Sequence, residues 1–311
     1  MTETINRVAI VGTGVIGASW AALFLAKGLD VIATDIAPDA KQKLEAFVEA
    51  AWPALEHLGL EPGATPAKLR FTDNLDMAVA DVDLVQENGP ERIEFKKNLY
   101  KHLDEVLRPD TIIASSTSGL TMSDIQSACV YHPERCVIAH PFNPPHLIPL
   151  VEIVGGAKTS EHTIERISAF YTALGKRTIR LHKEVPGHVA NRLQAALFRE
   201  VVHLITEGVV SVGDADAAVS WGPGLRWGIM GPSLLYHLGG GDGGIEHFFE
   251  QFTGPLNAWF HVLGTPELTP EVCSKIIKGV HEEVQSRPSG ELASYRDAVL
   301  QGILSLRKGE A

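Results

Sequence analysis

The hexapeptide GTGVIG, Gly12 to Gly17, lies between a short apolar run, Arg7 to Val11, and the apolar-rich stretch ASWAALFLAKG. Glycines at this spacing permit a tight turn, a close backbone approach to a diphosphate, and a helix that starts hard against the strand before it. The next apolar run, LDVIATD from Leu29 to Asp35, reads as a second strand, so the segment is a β-α-β unit. A helix N-terminus there offers unpaired N–H donors and a partial positive charge to phosphate. Asp35 ends the second strand eighteen residues after Gly17. A carboxylate at that place accepts hydrogen bonds from a ribose 2′-hydroxyl and repels a 2′-phosphate. The pattern predicts NAD rather than NADP, bound at Gly12, Thr13, Gly14, Val15, Ile16, Gly17 and Asp35.

Further short apolar runs, VDLVQE at 82–87, TIIASS at 111–116 and CVIAHP at 136–141, alternate with helical patterns such as Arg92 to Val106. Strands alternating with helices imply a parallel sheet covered on both faces. After a strand at Leu150 to Gly156 and a helix at Ser160 to Leu174, KRTIRL at 176–181 is the last strand, and helices dominate from Pro186. The linker Lys183 to Gly187 carries a proline and a glycine. The expected fold is α/β: a Rossmann-type, doubly wound, mainly parallel sheet over residues 1–185, then an all-helical domain over 186–311.

A net charge of −11 with no basic run argues against a nucleic-acid partner. Cys129, Cys136 and Cys273 form no C-x-x-C pair, so neither a zinc site nor a disulfide framework is expected, and a reducing compartment fits. The first apolar run is too short to span a bilayer and no small-residue cleavage site follows it. A cytoplasmic protein with no membrane partner and no metal is the expectation.

The stretch IAHPFNPPHLIPLVEIVGG, Ile138 to Gly156, places His140 at the C-terminal end of a parallel strand, where open α/β sheets bind ligands. Hydride leaves an alcohol carbon only if the hydroxyl proton leaves too, and an imidazole with a pKa near neutrality suits that work. Glu152 on the following strand is the expected partner, fixing the tautomer and stabilising the imidazolium. The prolines between them make a stiff turn that brings acid and base together.

GTGVIG, GPE with Lys96 five residues after the Glu, SSTSGL, HPFNP, VEIVGG and KEVPGHVANRL follow one another in an order that resembles the 3-hydroxyacyl-CoA dehydrogenase superfamily, from residue 7 to at least residue 240. The resemblance implies a catalytic His140 paired with Glu152, with Ser118 and Asn191 near the substrate hydroxyl or carbonyl. It also implies Glu91, Lys96 and Asn143 around the nicotinamide ribose, and a homodimer joined through the helical domains. Ser118 and Asn191 are residue types that donate hydrogen bonds to an oxygen gaining negative charge. The fatty-acyl enzymes usually read S-N-T-S-S where this chain reads SSTSG. Ser116 in the asparagine's place bears against an acyl-CoA substrate.

The segment Trp221 to Phe252, with AWPALEHLGLEPGA and TPELTPEVCSKIIKGV, resembles the L-carnitine dehydrogenase branch of that family. A trimethylammonium cannot donate hydrogen bonds and is held best by aromatic faces. Trp221, Trp227, Tyr236, Phe248, Phe252 and Trp259 offer a cage or, equally, pack a helical core, while Arg192 or Arg226 suits a substrate carboxylate and Phe142 follows the base. The expected reaction is oxidation of L-carnitine to 3-dehydrocarnitine. Another small 3-hydroxy acid such as L-gulonate, or a 3-hydroxyacyl-CoA, comes second. A crystallin-like dinucleotide-binding structural protein is the non-enzymatic alternative.

Overall fold

The computed structural model describes residues 4–307. Eight strands form one sheet: β1 (Arg7–Val11), β2 (Asp30–Thr34), β3 (Leu69–Thr72), β4 (Leu84–Glu87), β5 (Ile112–Ser115), β6 (Cys136–Pro141), β7 (Leu150–Gly155) and β8 (Arg177–Leu181). Their spatial order is β3-β2-β1-β4-β5-β6-β7-β8. Every neighbouring pair is parallel except β6 and β7, which run antiparallel. The fold is the Rossmann-type α/β sheet that the alternating runs imply.

All residues of β4, β5 and β6 are buried, as strands covered on both faces must be. One face packs Trp20, Phe24 and Leu25 of helix α1 (Val15–Ala26) with Leu44 and Val48 of helix α2 (Ala40–Leu58) and Tyr171 of helix Glu161–Ala173. The other packs Tyr100 and Leu103 of helix Ile93–Val106 with Met122 and Ile125. Helix α1 is buried nearly all round, which explains why its sequence is apolar on every side. β3 goes beyond the sequence expectation: LRFT is short and only partly buried at the sheet edge, so it carries no strong strand pattern.

The described residues divide into two compact units, Arg192–Leu292 and the remainder. The sequence reading changes domain at residue 186 and carries the helical domain to residue 311. In the structure the first compact unit runs on to Asn191 and includes the described chain from Ala293 to Arg307. Side-chain links tie both end segments to the rest of this unit. The amides of Val189 and Ala190 bond to Glu152 in the sheet. At the other end, Ser305 Oγ lies 3.5 Å from His57 Nε2 of α2. The second unit contains the helices Val212–Trp221, Pro223–Trp227, Pro232–Gly239, Gly244–Val262 and Pro270–Val284. Its buried cluster is small, Ile205, Val212 and Ala215, with Val201 and Val210 packed against it.

Candidate active site

Val11, Thr34, Glu87, Ser115 and Ile138 stand level with one another across β2, β1, β4, β5 and β6. The site residues emerge at and just beyond this C-terminal edge. At β1 the chain turns through Gly12, whose φ is +89°. A Cβ on Gly17 would meet Gly12 O at 1.9 Å, and one on Gly12 would meet Asn88 O at 2.8 Å. Both must be glycine for strand, helix and the β4 loop to touch. Gly14 is different: nothing lies within 4 Å of its Cβ direction, and it caps α1 without a side-chain bond. The start of α1 thus has no capping side chain, and a helix N-terminus of that kind suits a diphosphate.

Asp35 Oδ2 accepts from Thr13 N at 2.7 Å and Thr13 Oγ1 at 3.0 Å, and its Oδ1 accepts from Ala37 N at 3.0 Å. Partial burial pushes its carboxyl up, but these donors outweigh it and hold the group below the ordinary carboxylate range. An ionised acid beside the glycine turn fits a ribose diol. The neighbouring Ile36 is 94% exposed, an apolar surface next to that acid which the sequence reading passed over.

Glu91 organises the turn after β5. Its Oε1 accepts from Thr117 Oγ1 at 2.6 Å, Ser118 N at 3.0 Å and Gly119 N at 2.9 Å. Lys96, expected near the ribose, is buried and bonds both oxygens of Glu87, at 2.7 and 2.8 Å, with Glu91 Oε2 farther off at 3.8 Å. Ser115 Oγ donates to the same Glu87 at 2.6 Å. Glu87 has no place in the sequence reading, because only the level pairing of β4 with β5 and the reach of helix Ile93–Val106 reveal it. Asn143 is exposed in the loop after β6, and its peptide bond to Pro144 is cis.

His140 and Glu152 are directly opposed on β6 and β7. Residues opposed across an antiparallel pair project to the same side of the sheet. His140 Nδ1 lies 2.8 Å from Glu152 Oε2, and both residues are buried. The reversal of β7 thus creates the pair, with the proline-rich segment as its connection. Glu152 Oε1 accepts from Val189 N and Ala190 N, each at 2.9 Å. Burial would raise the Glu152 carboxyl; the imidazole and the two amides prevail and hold it low. A carboxylate at Nδ1 requires that nitrogen to carry its proton, which leaves Nε2 as the basic atom. Phe142 meets the imidazole edge-on, centroids 5.0 Å apart.

Ser118 is exposed, and Asn191 Nδ2 reaches toward its carbonyl at 3.5 Å. These two expected partners are therefore neighbours. Arg192, Trp221, Arg226 and Trp227 belong to the second unit. There Trp221 is 76% and Trp227 41% exposed, while Tyr236, Phe248 and Phe252 stack on one another at 4.5 and 4.9 Å. No ring pairing among the described residues joins Trp221, Trp227 and Trp259. A separate cavity of about 480 Å³, bordered by Leu23, Leu55, His146, Leu174 and Lys176, shares no residue with the glycine turn or the His140–Glu152 pair. Among the described residues there is no cluster of metal-binding side chains and no helix long and apolar enough to cross a membrane.

Comparison with known proteins identifies the family. A model of the family described as 3-hydroxyacyl-CoA dehydrogenase, NAD binding domain, matches residues 7–185, and one for the C-terminal domain of the same family matches residues 187–265. L-carnitine dehydrogenase of Streptomyces coelicolor is 46% identical over 302 residues, covering 97% of this chain and 95% of that one. The enzyme of that name from Pseudomonas putida is 46% identical over 304 residues, covering 98% and 94%. A solved structure of 5-formyl-3-hydroxy-2-methylpyridine 4-carboxylic acid 5-dehydrogenase, an NAD⁺-dependent dismutase, superposes with a TM-score of 0.85 at 33% identity, covering 98% of this chain and 99% of that one.

Proposed function

The chain belongs to the 3-hydroxyacyl-CoA dehydrogenase family and is an NAD-dependent oxidoreductase, and from that premise we propose that it oxidises the 3-hydroxyl of L-carnitine with His140 as general base. The observation that carries the chemistry is the 2.8 Å contact between His140 Nδ1 and a fully buried Glu152 at the sheet's C-terminal edge. The substrate rests on relatives of that name at about 45% identity over nearly the whole chain.

Bound NAD supplies the hydride acceptor. The chain's own residues do the rest. The amides at the start of α1, with Gly12, Thr13, Gly14, Val15, Ile16 and Gly17, hold the diphosphate, Asp35 takes the adenosine ribose hydroxyls, and Ile36 offers the adenine an apolar face. Glu91 and Asn143 serve the nicotinamide ribose. Lys96, whose ammonium is committed to Glu87, acts on that ribose site through the charge and placement of Glu91. As hydride leaves the carbinol carbon, His140 Nε2 accepts the hydroxyl proton. Glu152, kept ionised, stabilises the resulting imidazolium. Ser118 and Asn191 donate hydrogen bonds to the carbinol oxygen, which becomes a carbonyl.

Carnitine's two charges need an aromatic face and a cation. Trp221 and Trp227 supply the first, Arg192 or Arg226 the second, and Phe142 borders the reacting carbon. The exposed aromatic surface of the second unit also supports an isologous homodimer built from these helices, since a single chain leaves Trp221 at 76%, Trp259 at 58% and Phe260 at 64% exposure.

NADH formation from L-carnitine, L-gulonate, 3-hydroxybutyrate and its CoA thioester tests the substrate. Turnover with carnitine at least tenfold above the others in kcat/KM is expected, and equal or higher turnover of the thioester overturns the assignment. No turnover of any substrate despite tight NAD binding overturns the enzymatic reading in favour of a structural protein. Sedimentation at micromolar concentration tests the dimer, and a monomer there removes it.

A further inference from the structure

His188 lies outside the roles assigned above, yet the fold treats it unusually. Its φ is +52°, in the left-handed region that side-chain-bearing residues rarely occupy. It is 2% exposed, and its ring centroid is 5.1 Å from that of His140 at 51° between planes. Nε2 lies 3.1 Å from the carbonyl oxygen of Thr117, the residue before Ser118. A carbonyl only accepts, so Nε2 carries a proton and donates it. Nδ1 is buried and meets no donor among the described residues. A strained residue with an unanswered polar atom, packed beside a functional side chain, is a recurring sign of a group kept for chemistry.

We infer that His188 is a positioning residue for the base: an uncharged imidazole, fixed by Thr117, whose Nδ1 lone pair stabilises the positive charge that His140 acquires. The inference rests on the reading of His140 as base. With the proton at Nε2, the negative end of the ring dipole is at Nδ1, inside the same packed interior as His140. The charged and titratable groups acting on His188 are His140 of β6, Glu152 of β7 and Glu91 from the loop before helix Ile93–Val106. Burial, opposed by the Thr117 bond and the two acids, holds its imidazole below the ordinary histidine range, so it stays neutral at neutral pH. A second cation beside His140 would oppose proton uptake; a neutral ring with its lone pair inside favours it. The Thr117 bond also ties the turn carrying Ser118 to the same ring.

The test compares His188→Phe, which keeps the bulk and removes both nitrogens, with His188→Gln, which keeps a donor and an acceptor. The readout is kcat/KM against pH for alcohol oxidation at saturating NAD, with His140→Ala as reference. Oxidation needs unprotonated His140, so the rate rises with pH along the acid limb. Loss of the lone pair lowers the proton affinity of His140. His188→Phe is therefore expected to move that limb down by roughly one pH unit and to lower the plateau about tenfold, with NAD affinity unchanged and partial recovery in His188→Gln. An unmoved limb in His188→Phe, or equal losses in both variants, overturns the inference. If the variants do not fold, nitrogen NMR of the histidines in the unmodified protein decides: a neutral Nε2–H tautomer near pH 7 is expected, and protonation at Nδ1 overturns it. Failure of the base reading itself shows separately, as retained activity in His140→Ala.

Discussion

Two regions of the first unit meet at one edge of the sheet and are built in opposite ways. The glycine turn works by what is missing, since Gly12 and Gly17 leave room for backbone to touch backbone and Gly14 leaves room for a ligand. The His140–Glu152 pair works by what is present, two buried side chains opposed across β6 and β7. On the proposed reading, binding and chemistry depend on different kinds of atom. Substitutions should separate them.

The largest effect is expected at the pair. His140→Ala should lower turnover by roughly two to four orders of magnitude while NADH affinity, read by fluorescence titration, stays within about twofold. A parallel loss of NADH affinity would erase the division between the regions. Next comes the turn: Gly17→Ala drives a methyl into Gly12 O. The loop must shift, and NADH affinity should fall about tenfold or more, equivalent to at least about 1.4 kcal/mol, with turnover at saturating NAD close to that of the parent. Unchanged affinity would show that the close approach at Gly17 has no bearing on the nucleotide.

The smallest effect concerns stability and sharpens the comparison from the side of the acid. The folded-state pKa of Glu152 is depressed. Its contribution to stability is thus complete above the unfolded value, about 4.3, and is lost as pH falls through the folded value. Glu152→Gln should flatten the dependence of unfolding free energy on pH in that acid range, as measured by denaturant titration at a series of pH values. An acid slope as steep in the variant as in the parent would mean that other carboxylates carry it.

The turn was legible because its information is local: glycine spacing, an apolar strand before, an apolar helix after, and an acid at the next strand end. The geometry of the His140–Glu152 pair was legible for a related reason, because both residues lie on adjacent strands joined by one short connection. Elsewhere the needed information was distant in sequence. Lys96 is expected around the nicotinamide ribose, but that its ammonium bonds Glu87, level with Ser115 across the sheet, only the fold shows. His188 gives no signal in sequence, since its meaning lies in a backbone angle and a missing donor. The return of the last helix to the first unit depends on tertiary packing that composition does not encode.

Both oxygens of Glu152 are occupied, one by the imidazole and one by the amides that begin the path out of the first unit. Drift in that junction is not silent. Tilting two peptide groups alters how firmly a carboxyl keeps its charge, and so the appetite of the ring beyond it for a proton. Anyone grafting a different helical domain onto this nucleotide-binding half would have to keep residues 187–191 together with the β6–β7 hairpin, as a single cassette.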